Sequence, residues 1–267
     1  MMAPPPIPPI LLVGLGKMGG AMLAGWLERG LAGSFAVDPV ANAAAGVTLV
    51  GDAAAIPAEF VPAAVVLAVK PQMAASALPL YARFAGRAVF LSIMAGRTIA
   101  TMRPLLGTAA ALVRAMPNTP AAVRQSITVA HAAPEVTAEQ RALCDTLLQA
   151  IGDVAWIDDE ALLDPVTAIS GGGPAYVFLL AELLERAAIE QGIPAKLARL
   201  MARQTVAGSG ALLAASTQDA AALRRAVTSP QGTTERALAV LMDDAAWPDA
   251  ISRAIAAATA RSRELSG

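Results

Sequence analysis

The chain has 267 residues, 56% of them apolar by type, with a formal net charge of −1 and no basic run. That length predicts one large or two medium domains, and the charge argues against nucleic acid or an anionic membrane surface as partner. No uncharged apolar run reaches the roughly 20 residues that span a bilayer, so the sequence reads as a cytoplasmic protein, without a membrane partner, that acts on a small molecule.

Residues 1–9 form a short proline-rich lead without the basic and apolar regions of a signal peptide, and they are set aside as flexible. From 10 to 160, short β-branched runs alternate with helical patterns; the runs fall at 10–13, 34–37, 48–50, 64–69, 89–93, 111–115, 127–130 and 154–157. Such alternation predicts an α/β domain with a mostly parallel sheet covered by helices. The first run leads into GLGKMG, Gly14, Leu15, Gly16, Lys17, Met18 and Gly19, and then into a helical pattern through Met22, Leu23, Trp26 and Leu27. A glycine string alone is weak, but between a strand and a helix it fits a dinucleotide site. Gly14 makes the turn, Gly16 admits a pyrophosphate to the backbone, and Gly19 lets helix and strand pack. Gly30 closes the helix. Asp38, 19 positions after Gly19, ends the second strand where a carboxylate takes a ribose 2′-hydroxyl; its bland alternative is a turn-former before Pro39.

Three further strand ends point toward the same crevice. AVKPQ supplies Ala68, Val69, Lys70 and Pro71; MAG supplies Met94, Ala95 and Gly96; MPNTP supplies Asn118 within a loop stiffened by two prolines. The single cysteine, Cys144, lies in the helical pattern 137–150 and reads as a buried structural thiol, and the single histidine, His131, reads as structural or exposed. No metal-ligand cluster stands out.

From 161 to 267 the pattern is entirely helical, with long apolar runs at 176–191 and 196–215. So much apolar surface predicts burial against a second subunit, or else a thick intramolecular bundle. SGGGPAYVF, residues 170–178, places Gly171, Gly172 and Gly173 before Pro174. Three glycines exceed what a helix start needs and suit a pocket wall. VTSPQGTT, residues 227–234, gathers hydroxyls and backbone N–H groups ahead of a helix starting near Thr233.

GLGKMG, AVKP, MPNTP, TAISGGGPAY and VTSPQGTT, in this order, resemble the pyrroline-5-carboxylate reductase family over essentially the whole chain after the lead. The resemblance implies a Rossmann domain at 10–160, an all-helical substrate-binding and dimerisation domain at 161–267, and a homodimer or larger homo-oligomer. It implies reduction of 1-pyrroline-5-carboxylate to L-proline with NAD(P)H. The substrate carboxylate would be held by Ser229, Gly232, Thr233 and Thr234, the ring would lie against the three glycines, and Thr234 would hydrogen-bond the ring nitrogen. Departures from the family pattern are Gly172, Gln231 and Thr217, the last where many members carry glutamate; Asp219 is a carboxylate close by. Residues 39–47 contain no Arg or Lys, so Asp38 leans the cofactor choice toward NADH. Rival readings are a β-hydroxyacid dehydrogenase or imine-reductase relative, which would want a catalytic lysine that Lys196 does not supply, and a non-catalytic NAD(P)H-sensing regulator.

Overall fold

The computed structural model describes residues 7–41 and 46–266. Among them β1 (Ile10–Val13), β2 (Phe35–Val37), β3 (Thr48–Val50), β4 (Ala64–Leu67), β5 (Val89–Ser92), β6 (Ala111–Met116), β7 (Ser126–Ala132) and β8 (Gly152–Trp156) form one sheet in the order β3-β2-β1-β4-β5-β6-β7-β8. Every expected run is a strand, with ends shifted by at most two residues. The pairing is parallel except between β6 and β7, and β8 runs parallel to β7. β1, β4 and β5 are buried throughout, which is why β1 and β4 are wholly apolar and β5 is apolar up to Ser92.

Alternate residues of these strands enter two separate cores. Ile10, Leu12, Val66 and Leu91 pack with Met22, Trp26 and Leu147 of α1 (Lys17–Glu28) and α4 (Ala138–Gln149). Leu11, Val13, Val65 and Phe90 pack with Ala74 of α2 (Ala74–Ala77), with Leu78 and with Met102 of α3 (Ile99–Leu106). Period-two alternation thus gives a sheet covered on both faces. Trp26 is fully buried, and its indole N–H donates to Leu147 O at 2.8 Å, locking α1 onto α4. Thr137 and Gln140 form a reciprocal capping box that starts α4. Cys144 is buried on α4, and burial first, then the neighbouring Asp145 charge, pushes its thiol up to about 12. It is a packing residue, as expected.

Of the expected lead, residues 1–6 lie outside the described residues. Ile7, however, is a core residue, and Pro9 O accepts from Ala63 N–H at 2.9 Å, so the fold begins before β1.

The second half is helical: α5 (Leu163–Val166), a π turn (Thr167–Gly171), α6 (Gly173–Glu190), α7 (Ala195–Ala215), α8 (Ala220–Ala226), α9 (Thr233–Leu241) and α10 (Trp247–Ser266). The chain divides into two compact units, Met1–Gly171 with Ala258–Gly267, and Gly172–Ala257. The first unit includes α5 and the π turn, where Leu163 and Ala168 are buried. In the second unit α6 buries none of its residues, and Phe178 is 67% exposed, so an intramolecular bundle does not account for its apolar side. The 31-residue helical run Glu160–Glu190 is long and apolar enough, by length and composition alone, to cross a membrane, which the charge-free runs of the sequence did not suggest.

Candidate active site and dinucleotide crevice

The strand order reverses at β1, whose neighbours are β2 and β4, and open α/β sheets bind ligands outside the carboxyl ends of strands at such a point. GLGKMG sits there. Gly14 has a φ of +99°, and a Cβ on it would lie 2.7 Å from Ala68 O. Gly19 packs directly on the Gly14 carbonyl, so a side chain would prise α1 off the strand. A Cβ on Gly16 would meet nothing within 4 Å, which leaves room for a ligand. Gly16 caps α1 without a side-chain bond, so the first-turn amides of Lys17, Met18 and Gly19 are directed outward at the positive end of the helix. Gly30 follows α1 at a φ of +81°, as a helix terminator should.

Asp38 is tied into this loop. Its Oδ2 accepts from Leu15 N–H at 2.7 Å, and its Oδ1 accepts from Val40 and Ala41 N–H at 2.9 and 3.0 Å. Burial opposes its ionisation, but the three backbone donors outweigh burial and hold the carboxyl below its ordinary value. Asp38 is therefore both a turn-former and an ionised group beside the glycine loop. The Leu15 amide is spent on Asp38, which leaves Lys17, Met18 and Gly19 as the outward donors.

The next strand ends are cross-braced. Lys70 is exposed and precedes a short 3₁₀ turn, Pro71–Met73. Arg97 Nε donates to Pro71 O at 3.0 Å, binding the Lys-Pro turn to the segment after Met94, Ala95 and Gly96. Arg114, only 4% exposed, donates to Glu160 at 3.1 Å, and the same Glu160 oxygen accepts from Ile99 N–H at 2.8 Å, fixing the start of α3. Neither brace was foreseen, because periodicity does not show which backbone carbonyl a side chain will find. Gly96 has a φ of +66°, and its close neighbours are the Cβ and carbonyl of Leu265 on α10.

Asn118 is 8% exposed, and its side chain makes three hydrogen bonds. Its Oδ1 accepts from Ser126 Oγ at 3.0 Å and Ile127 N–H at 3.3 Å, and its Nδ2 donates to Ser170 O at 3.1 Å. MPNTP thus holds the glycine-rich segment. A Cβ on Gly171 would sit 2.6 Å from Met116 Cε, the far end of a flexible side chain. A Cβ on Gly173 would meet nothing within 4 Å. His131 Nδ1 lies 3.1 Å from Ile157 O, a structural contact.

In the helical unit, α9 starts at Thr233 with Gly232 as a cap that lacks a side-chain bond. Capping is therefore not what the hydroxyls do. Those of Ser229, Thr233 and Thr234 have no protein partner among the described residues, and the first-turn amides of α9 have no intrahelical acceptor. Gln231, at the family's usual glycine position, has a φ of +60°, and its amide donates to Glu235 at 2.8 Å. Glu235 reaches back as in a capping box, one residue further out, and its role was not read from sequence. Thr217 is exposed, and Asp219 caps α8 by accepting from Ala222 N–H at 2.7 Å.

Residues 160–265 match the family model "Pyrroline-5-carboxylate reductase dimerisation". The Pseudomonas aeruginosa pyrroline-5-carboxylate reductase is 36% identical over 97% of this chain and 97% of its own. A pyrroline-5-carboxylate reductase structure from Coxiella burnetii has a TM-score of 0.90 at 31% identity, covering 98% of this chain and 99% of that one. The Plasmodium falciparum pyrroline carboxylate reductase, solved with NADP bound, has a TM-score of 0.84 at 25% identity, covering 98% and 99%.

Proposed function

The chain belongs to the pyrroline-5-carboxylate reductase family, and from that membership we propose how its residues carry out the NAD(P)H-dependent reduction of 1-pyrroline-5-carboxylate to L-proline. The observation that supports the assignment of roles is the open mouth of α9. A carboxylate placed there meets outward amides, the positive end of the helix and three unpartnered hydroxyls, with no need for an arginine. Ser229, Gly232 and Thr233 are assigned to the carboxylate and Thr234 to the ring nitrogen. Gly171, Gly172 and Gly173 provide a wall without side chains. A protonated cyclic imine needs little acid catalysis, so the residues work by positioning.

The glycine loop fits a dinucleotide, since Gly14 has no room for a Cβ and Gly16 has space in front of it. Gly14, Leu15, Gly16, Lys17, Met18 and Gly19 would hold the pyrophosphate, and Asp38 the ribose. Ala68, Val69, Lys70, Pro71, Met94, Ala95, Gly96 and Asn118 would form or support the wall beyond. NAD(P)H, when bound, supplies the hydride. Asp38, ionised and without a cation in 39–47, accepts a bond from a 2′-hydroxyl and repels a 2′-phosphate, so we assign a preference for NADH. The exposed apolar side of α6 and the match to a dimerisation domain make the protein a homo-oligomer, with a homodimer as the proposed unit. We assign the reaction to the cytoplasm.

The test is NAD(P)H oxidation followed by absorbance with 1-pyrroline-5-carboxylate, beside a panel of other imines and β-hydroxy acids. Turnover of that imine is expected. Turnover of a β-hydroxy acid alone would transfer the protein to the dehydrogenases, and dinucleotide binding without any turnover would make it a sensor.

A further inference from the structure

The last residues of α10 belong with the dinucleotide-binding unit and end in a clasp whose Asp164 and Ser262 are buried while Leu265 is 55% exposed. Asp164, 9% exposed, accepts from Ser262 Oγ at 2.6 Å on its Oδ1, and Ser266 Oγ shares its one proton between that Oδ1 at 3.3 Å and the Ser262 carbonyl at 3.0 Å. Ser262 is itself 5% exposed. Between the two serines in sequence, Leu265 lies against Gly96: a Cβ there would be 3.0 Å from Leu265 Cβ and 3.2 Å from its carbonyl oxygen. Gly96 ends the turn that follows β5, and Arg97 next to it holds the Pro71 carbonyl. The clasp therefore reaches, through one packed contact, a turn that is already tied to the neighbouring strand end.

We infer that the Asp164–Ser262–Ser266 clasp is a positioning device for the cofactor: it presses Leu265 onto Gly96 and so fixes the turn Met94–Gly96 in the geometry that receives the dinucleotide. A hydroxyl-to-carboxylate bond in a buried place is strong enough for this, because leaving the Asp164 acceptor unpaired there is costly. The Gly96 backbone, at a φ of +66°, has no side chain of its own to hold the turn, so the support comes from Leu265. The inference rests on reading Met94, Ala95 and Gly96 as part of the dinucleotide wall.

The test is direct titration of the full-length protein with NADH by calorimetry, together with steady-state kinetics. Ser262→Ala/Ser266→Ala should weaken dinucleotide binding about tenfold and raise the dinucleotide KM in step, while kcat and the imine KM stay close to those of the unmodified protein. Asp164→Asn by itself, which keeps an acceptor for the serine hydroxyls, should retain most of the affinity. Ser266→Ala alone, the milder change, should move in the same direction and keeps the test available if the double variant does not fold. An unchanged dinucleotide Kd in a folded serine variant, or a change confined to the imine KM, overturns the inference. Loss of the family assignment would instead show as absent imine turnover in the unmodified protein.

Discussion

The Asn118 side chain donates to the Ser170 carbonyl at 3.1 Å, joining the end of β6 to the start of the glycine-rich segment. Two motifs that stand 52 positions apart in the chain are thereby one structure. Asn118 has no spare acceptor to give a ligand, since Oδ1 already serves Ser126 and Ile127. One Nδ2 hydrogen holds Ser170 in place, and the other remains to donate.

Thr234→Ala removes a hydroxyl that no protein group uses, so its loss should leave the fold unchanged and act on the reaction. A hydrogen bond to a charged group is worth about 1.5–3 kcal/mol, so kcat/KM should fall roughly ten- to a hundredfold. Thermal unfolding should be unaltered within error. Unchanged kinetics would remove Thr234 from the substrate site.

Asp38→Asn keeps an acceptor for the Val40 and Ala41 amides while removing the charge. The ratio of the NADPH KM to the NADH KM should drop by about tenfold, which requires only about 1.4 kcal/mol. Backbone donors overcome burial to hold the Asp38 carboxyl below its ordinary value, so it is charged throughout the neutral range. The unmodified protein should therefore keep its preference from roughly pH 8 to pH 5 and lose it only as pH falls below the normal carboxylate range. A lower KM for NADPH than for NADH at neutral pH would refute the ribose role.

Gln231 has a φ of +60°, where a non-glycine residue pays about 1–2 kcal/mol. A glycine there relieves that strain but gives back roughly 0.5–1 kcal/mol through the unfolded chain. Gln231→Gly should stabilise the protein by about 0.5 to 1 kcal/mol, measured by denaturant unfolding at fixed protein concentration. The Gln231 amide that Glu235 accepts survives the change, so the loop should keep its shape.

Much of this was legible because β1, β4 and β5 are buried on both faces and announce themselves as apolar runs, and because Gly14, Gly19 and Gly30 stand where only glycine serves. The helical second half was legible from period alone. What was not legible is pairing at long range: that Arg97 finds the Pro71 carbonyl, that Glu160 serves both Arg114 and Ile99, and that Asp164 waits for Ser262. Single polar residues carry no period, so their partners become known only when the backbone has been placed. Nor does a helical period show that α5 and the π turn pack with the first unit, since helices of either unit are written alike.

Phe178 offers a test of assembly. It is 67% exposed on α6, and in a symmetric dimer every substitution acts twice. Phe178→Glu should cost at least about 1.5 kcal/mol per copy, weakening a dimer roughly a hundredfold or more, with light scattering at micromolar concentration reporting the dissociation. A monomeric unmodified protein with full activity would contradict the interface.

β7 runs antiparallel to β6, and the short turn Thr119–Val123 connects them without a crossover helix. Their contacts are local in sequence, whereas β1 meets β4 only after some fifty residues of intervening chain have been gathered in. Loop closure costs less for this pair than for β1 with β4, so this corner of the sheet is able to assemble before that crossover is made. Ser126 and Asn118 already face each other across that corner. The anchor for the glycine-rich segment can thus be complete before the ribosome has released the segment it will hold.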